Sequence, residues 1–359
     1  MKFFAIVISL LLITAIDVSG QGCVAIRSAG GMCMANHTGE HSTDSKWSLN
    51  VNNRYFKSYR HYRGEHEEKE RVEKNTEVIN HTNSTDFTLL RTLNSRWSLF
   101  FNLPLISNAR SSLYEHDGRT RHSTRSFGIG DVRFGAYAWL LNPEKTTKGN
   151  IQLGLGVKLP TGDYKYQDYF YKNDSTQVLG PVDQSIQLGD GGTGFSTEVN
   201  AYYNFNKTVG GYANFYYLFN PREQNGTSSA RGGVPSATAV RNGSSVMSVA
   251  DQYMWRAGGN FNLKHFTLSA GGRMECIPSE DLIGGSSGFR RPGYVISAEP
   301  GITYMAKKIN LYAFVPVALK RNRTQSYADK IQTIKTGNHT IGDAAFADYA
   351  INVGATFKF

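Results

Sequence analysis

The chain reads as an all-β protein: a transmembrane antiparallel meander β-barrel of about twelve strands, with both termini periplasmic. Three observations predict it. Apolar and polar residues alternate with a period of two through most of the chain. Short and long polar connections take turns between the alternating segments. No internal apolar run approaches the roughly 18 residues that a membrane-spanning helix requires.

The last stretch, 346–359 (FADYAINVGATFKF), shows the alternation most clearly. Phe359, Phe357, Ala355, Val353, Ile351 and Tyr349 are apolar or aromatic, and the residues between them, Lys358 to Asp348, are mostly polar or small. Soluble strands usually run about five or six residues. About ten or more, closing on an aromatic, suits a strand that crosses an outer membrane. Phe359 and Phe357 also resemble the terminal signature by which bacterial outer-membrane barrels are recognised for assembly, which makes the barrel assembly machinery an expected partner.

Eleven earlier strands follow the same rule. Trp47, Leu49, Val51 and Tyr55 mark the first; Phe87 and Leu89 mark the second, with Arg91 intruding on the apolar parity. Trp97 to Leu105, Val132 to Leu140 and Ile151 to Leu159 supply the next three, and Phe195, Val199 and Phe205 the sixth. Phe215 and Phe219 lie on the seventh, Trp255 and Phe261 on the eighth, Leu268 and Met274 on the ninth. Ile296 and Ile302 mark the tenth, and Ile309 to Leu319 an uninterrupted eleventh. Tight connections fall at 94–96, 206–207, 264–265 and 307–308, with a somewhat longer one at 142–149; long polar ones span 60–77, 107–125, 161–192, 221–249, 278–292 and 321–345. A soluble sandwich has no reason to segregate loop lengths in this way, whereas tight periplasmic turns and long outer loops do so. Trp47, Trp97, Trp139, Tyr253 and Tyr304 cluster near strand ends, as interfacial girdles require.

The N-terminus carries Lys2, an apolar run over 3–16 and the small-residue exit Val18-Ser19-Gly20, the pattern of an export signal. The expected organisation is a signal peptide at 1–20, a periplasmic tail or plug at 21–45, and a barrel at 46–359, destined for the cell outer membrane. Cys23 and Cys33 flank Gly30-Gly31 and are disulfide candidates in an oxidising compartment; Cys276 reads as a packed thiol inside a strand. The net charge of +10 suits outer-membrane lipid and lipopolysaccharide as partners. No nucleic-acid partner, cofactor or metal is expected, since no Cys/His metal spacing occurs.

If the apolar residues face lipid, their neighbours face the lumen. That inward set includes Asp131, Arg133, Lys158, Glu198, Arg256, Arg273, Glu275, Glu299, Asp348 and Lys358. The Lys264-His265 turn sets Arg256 across from Arg273, with Glu275 on the diagonal. Like charges directly opposite destabilise unless carboxylates compensate, and Glu275 and Glu299 are placed to do so. Arg133, Glu198, Arg256, Arg273, Glu275 and Glu299 are thus candidates either for an ionic network that stiffens the barrel or for a charged constriction that selects solutes. His61, His66, His81, His116, His122, His265 and His339 fall in predicted loops, turns or strand approaches. None joins a recognisable nucleophile motif, so no enzymatic activity is expected.

Several segments resemble the phenol meta-degradation (MetA-pathway) family of outer-membrane transporters. They are FGIGDVRFG at 127–135, GLGVKLPTGD at 154–163, SVADQYMWRAG at 248–258, DLIGGSSGFRRPGY at 281–294 and GDAAFADY at 342–349. The start GCVAIR, 22–27, resembles that of Bacteroidota members. The resemblance implies a barrel that moves small, often hydrophobic, solutes across the outer membrane, and it carries over no catalytic or binding residue. The expected function is passive passage of a small-molecule solute. The alternative is a plugged structural or accessory barrel held in a larger envelope protein complex.

Overall fold

Alternation drives the chain into a single closed wall. The computed structural model describes residues 46–146 and 148–359; the expected signal peptide, the tail and the Cys23–Cys33 pair lie outside the described residues. The barrel strands are β1 (Trp47–Arg63), β2 (Ile79–Thr92), β3 (Trp97–Ser112), β4 in two pieces (His122–Ile129 and Arg133–Trp139), β5 (Gly149–Lys158) and β6 (Gly194–Asn204). They continue as β7 (Val209–Phe219), β8 (Gln252–Leu263), β9 (Phe266–Ile277), β10 (Gly293–Met305), β11 in two pieces (Ile309–Phe314 and Val317–Asn322) and β12 (Ala344–Lys358). Each strand pairs antiparallel with its sequence neighbours. β12 then returns to β1, from Ser48 opposite Lys358 to Tyr62 opposite Ala344. The barrel therefore has twelve antiparallel strands and no free edge. No helix among the described residues is long and apolar enough to cross a membrane, so any crossing is made by strands.

The wall is inverted relative to a soluble protein. Leu99, Phe101, Leu155, Phe215, Leu268, Ile302, Leu311 and Val353 point outward and are exposed, while their neighbours bury amides, hydroxyls and charges inside. An apolar belt around a polar interior is what a lipid solvent selects. Arg91, the intruder on the apolar parity, lays its guanidinium 5.1 Å from the Trp47 ring centroid near the short-turn end, where a cation–π contact shields the charge.

Several expectations are corrected. The segments expected as loops at 60–77, 107–125 and 321–345 partly continue the strands: β1 runs to Arg63, β3 to Ser112, β4 begins at His122 and β11 ends at Asn322. Above the belt both faces of a strand are wet, so the alternation that marks it in sequence disappears. β11 is not continuous either. Pro316 has no N–H to donate, and the pairing passes instead through Val315 N–H to the Pro300 carbonyl (3.0 Å) and Ala350 N–H to the Pro316 carbonyl (3.1 Å). Asp348 does not join the lumen group. A bulge shifts the β1–β12 register around Ser58, and Asp348 pairs with Arg60 (3.0 Å) and Arg321 (2.6 Å) at the loop end.

The longest loop, 159–193, folds back over the mouth. Its hairpin pairs Gln167–Tyr171 with Gln177–Pro181, and a 3-10 turn at Gln184–Ile186 is capped by Asp183, which accepts from Ser185 N–H at 3.0 Å. The Ile186 carbonyl accepts from Asn108 Nδ2 (3.2 Å) and Ser126 Oγ (2.5 Å) on the inner wall. Three arginines converge on Asp183: Arg231 at 2.5 Å, Arg291 at 2.7 Å and Arg110 at 3.5 Å. Burial alone would raise this carboxyl, but the cations outweigh it and hold it well below the usual range.

Candidate functional site

The lumen is organised by height. Arg54 on β1, Asp86 on β2, Arg133 on β4, Glu198 on β6, Arg256 on β8, Arg273 on β9 and Glu299 on β10 each stand six or seven residues from the short-turn end of their strand. Strands of similar tilt carry residues at equal distance from one end to a common level, so these seven form a charged girdle inside the wall. Arg256 lies directly opposite Arg273 in the β8–β9 register. Glu299 bridges them: Arg256 Nε donates to its Oε1 at 2.7 Å and Arg273 Nη1 to its Oε2 at 3.1 Å. Arg273 Nη2 also donates to Glu275 Oε1 at 2.8 Å, and Arg54 Nη2 grips both Glu275 oxygens at 2.9 and 3.0 Å.

The chain Arg256–Glu299–Arg273–Glu275–Arg54 thus leaves the wall at β9 and reaches β1, with β10, β11 and β12 between. It is a chord across the lumen. A second contact of this kind joins Arg133 Nη1 to Tyr216 Oη at 3.2 Å, from β4 to β7, and Tyr137 Oη donates to Glu198 Oε2 at 3.0 Å. The six candidates named from sequence therefore fall into two groups, Arg133 and Glu198 on β4 and β6, and Arg256, Arg273, Glu275 and Glu299 on β8 to β10. Arg54, Asp86 and Tyr216 are additions that sequence reasoning missed. Arg54 and Asp86 do carry a sequence signal: each is a charge on the inward parity of its strand.

Below the girdle the lining changes. Asn50, Asn102, Gln152, Asn200, Asn214, Asn260 and Thr356 are buried on the inner wall and bond laterally, as in Asn50 Nδ2 to Thr356 Oγ1 (2.8 Å) and Asn102 Nδ2 to Thr88 Oγ1 (2.8 Å). Tyrosine rings lie against this wall where glycine makes room. A Cβ at Gly154 would stand 2.6 Å from the Tyr137 ring, and one at Gly258 would stand 2.8 Å from Tyr212 Oη.

Above the girdle a cavity of about 70 Å³ lies beneath the folded-in loop. Arg133 and Lys158 line it together with Leu218, Met247, Ile277, Arg290 and Arg291. Lys158 pairs with Asp190, Arg290 with Asp281 at 2.6 Å, and Arg291 with Asp183. Asp131, in the break of β4, accepts from the backbone N–H groups of Gly162 and Asp190, both at 3.0 Å. Four of the segments that carry the resemblance, 127–135, 154–163, 248–258 and 281–294, meet here through Arg133, Lys158, Ser248 and Arg290.

One cluster at the loop end resembles catalytic or metal-binding chemistry. His61, Glu68 and Asp343 bring three potential ligand atoms within 4.8 Å of one another. His61 Nε2, however, accepts the Val78 N–H at 2.8 Å, so Nδ1 carries the ring proton toward Asp343 Oδ2 at 2.6 Å. Neither nitrogen offers a free lone pair to an ion or a nucleophile. Arg71 and Arg63 already match the two carboxylates, at 3.2 and 2.9 Å, and the group is a clamp between loops. The terminal aromatics have a clear place: Trp47 and Phe359 exchange backbone hydrogen bonds at 2.9 Å, closing the seam, and Phe357 faces outward.

No protein-family model and no curated protein matches the chain. Among solved structures, the COG4313 outer membrane channel from Pseudomonas putida F1 aligns with a TM-score of 0.57 at 13% identity, over 88% of this chain and 96% of that one. The translocator domain of the autotransporter NalP from Neisseria meningitidis gives 0.44 at 11%, covering 88% and 90%. The Ralstonia pickettii toluene transporter TbuX gives 0.41 at 10%, covering 95% and 97%. The first likeness shows a shared fold: the chain is a closed barrel of the kind found in an outer-membrane channel.

Proposed function

We propose that the protein is an outer-membrane channel through which small solutes pass passively, without chemistry on them. The observation that carries this reading is the polar axis. From the amide-lined short-turn half, through the charged girdle, to the cavity under the loop, the interior offers hydrogen-bonding groups where a purely structural barrel could bury apolar side chains. The fold shared with a channel supports the same reading, and the quoted segments support membership of the phenol meta-degradation family. In this reading the long loops face outward toward lipopolysaccharide, both termini face the periplasm, and Phe357 and Phe359 serve assembly after export by the 1–20 signal.

The close packing of the girdle favours one competing reading, the plugged accessory barrel. Single-channel recording of the purified mature protein in a planar bilayer, with and without 21–45, separates the two. Steady or flickering conductance of the intact protein is expected. Conductance only after truncation would make the tail a plug, and silence in both forms would overturn the channel.

A further inference from the structure

One patch of the outer wall departs from the apolar belt. In the outward-facing row Ile129, Leu105, Thr85, Asn53 and Val353, the residues on β2 and β1 are polar between apolar neighbours. The next row toward the long loops, Phe127, Ser107, Asn83, Tyr55 and Ile351, is polar at Ser107 and Asn83 and again ends on apolar residues. On the other side, the row Leu103, Phe87, Val51 and Ala355 is apolar throughout. Asn83 and Ser107 are exposed, and Asn53 and Thr85 are partly so. Asn53 Nδ2 donates to Asn83 Oδ1 and to Thr85 Oγ1, both at 2.9 Å. Asn53 and Thr85 stand six and seven residues from the short-turn ends of their strands. At about 2.5 Å of height per residue of a tilted strand, that is roughly 15–18 Å up a belt about 25 Å tall. The patch is therefore a polar notch in the half of the belt nearer the long loops. Lys57 and His81, paired across β1 and β2, close its upper edge, and Arg125 stands further out on β4. Lys57 and Arg125 are exposed and form no ion pair among the described residues.

We propose that this notch on β1, β2 and β3 is a binding site for the lipid A part of lipopolysaccharide, a phosphorylated glycolipid whose acyl chains carry amide, ester and hydroxyl groups close to the sugar. The inference rests on the outward orientation of the long loops given above, and not on conduction. An amide or hydroxyl turned toward hydrocarbon costs free energy unless it finds a partner there. The bonds within the notch occupy the N–H groups of Asn53 and leave those of Asn83 for a lipid acceptor. Ser107 and Thr85 add hydroxyls that both donate and accept, which suits the hydroxyls and amides of lipid A. The ester carbonyls of an ordinary phospholipid only accept. Lys57 stands ten residues above the short-turn end, where the belt ends and headgroups begin, and its ammonium suits a phosphate. Arg125, further out, suits the anionic groups of the adjoining sugars. A second copy of the chain seated here would bring its own cations into the same interface, with no carboxylate among the notch residues to compensate them.

The test uses the mature full-length protein in detergent, bisphosphorylated lipid A as probe, and native mass spectrometry as the readout. One lipid A per barrel is expected to be retained against an excess of phosphatidylethanolamine. Lys57→Gln should weaken retention about tenfold, the equivalent of a charge-assisted hydrogen bond. Asn83→Leu, which restores the apolar belt, should weaken it about fivefold, the equivalent of a neutral one. Arg125→Gln gives a third variant should either of these fail to show the heat-modifiable mobility of a folded barrel. Lys320→Gln, which removes an exposed cation on β11 that pairs with Glu65 at 2.7 Å, should leave retention unchanged. Equal losses in Lys320→Gln and Lys57→Gln would reduce the binding to general charge attraction and overturn the site. A complex of two chains that Asn83→Leu separates would overturn the lipid in favour of a second copy. The readout is independent of conductance. A silent barrel that retains lipid A through Lys57 and Asn83 would uphold the site and overturn the channel, and a conducting barrel that retains none would do the reverse.

Discussion

The two halves of the lumen are built from different interactions. Below the girdle, amides and hydroxyls bond to the next strand, as Asn102 does to Thr88 and Ser269 to Asn260. These contacts repeat what the backbone ladder already holds, and Tyr312 Oη, which reaches Asn50 and Asn52 past β12, is an exception. In the girdle, charges reach across the barrel, as Arg54 does to Glu275, and one carboxylate serves two guanidiniums at once. The lower half can lose a member and keep its geometry. The girdle is a coupled unit in which each loss strands a neighbour, because a buried ion without its partner costs far more than the pair gained.

That contrast is broken most severely at Glu299. Glu299→Leu removes the carboxylate shared by Arg256 and Arg273, and the expected loss is about 3–5 kcal/mol, read as a lower temperature for the mobility shift of the folded barrel. A wild-type transition in this variant would mean that the girdle does not hold the wall. Asp183 sharpens the comparison from above, since it also gathers several arginines but in a loop. Asp183→Asn should weaken charge-assisted bonds worth about 1.5–3 kcal/mol each and speed proteolysis within 159–193 while leaving barrel unfolding unchanged. Next in size is Gly154→Ala, whose Cβ would meet the Tyr137 ring at 2.6 Å and Glu198 Cβ at 3.1 Å. A crowding cost of about 1–3 kcal/mol is expected, with no change if the ring swings freely. The smallest effect is expected from Asn102→Leu, about 1 kcal/mol or less on stability.

The Asp183 latch also sets a pH window. Its folded carboxyl lies below the ordinary range, so its contribution is complete above the unfolded value of about 3.9 and is lost as the pH falls through the lower folded value. The protection of 159–193 against hydrogen exchange, taken relative to the intrinsic rate at each pH, should be constant from neutral pH to about 4 and fall only below that. A loss of protection near pH 6 would assign the latch to a histidine instead.

Much of this was readable in the sequence, for identifiable reasons. A period of two with one face in lipid fixes which residues point outward, since a slip of one residue would turn every side chain over. The two-residue turn Lys264-His265 fixes a register, and Arg256 facing Arg273 follows from it. Local information ends there. The Arg54–Glu275 pair joins strands that do not pair and face each other across the lumen only once the barrel has closed, so no spacing announces it. The break at Pro316 was written in the residue itself, but the apolar alternation on either side outweighed it. The bulge that moves Asp348 to the rim leaves no compositional mark, and β4 begins with the polar run His122–Ser126 before Phe127 and Ile129 face outward. Asp183 sits in the longest loop, and its three arginines come from three different parts of the chain.

The central claim is that solutes cross through the girdle rather than around a fixed plug. The most direct test is the reversal potential across a KCl gradient for the wild type and Arg256→Gln. Arg273 still compensates Glu299 in this variant, so the barrel should fold. Removing one positive charge from the girdle should shift the reversal potential toward cation selectivity. An unchanged reversal potential together with a lower unfolding temperature would contradict the account, leaving the girdle as a structural brace and the path of any solute elsewhere.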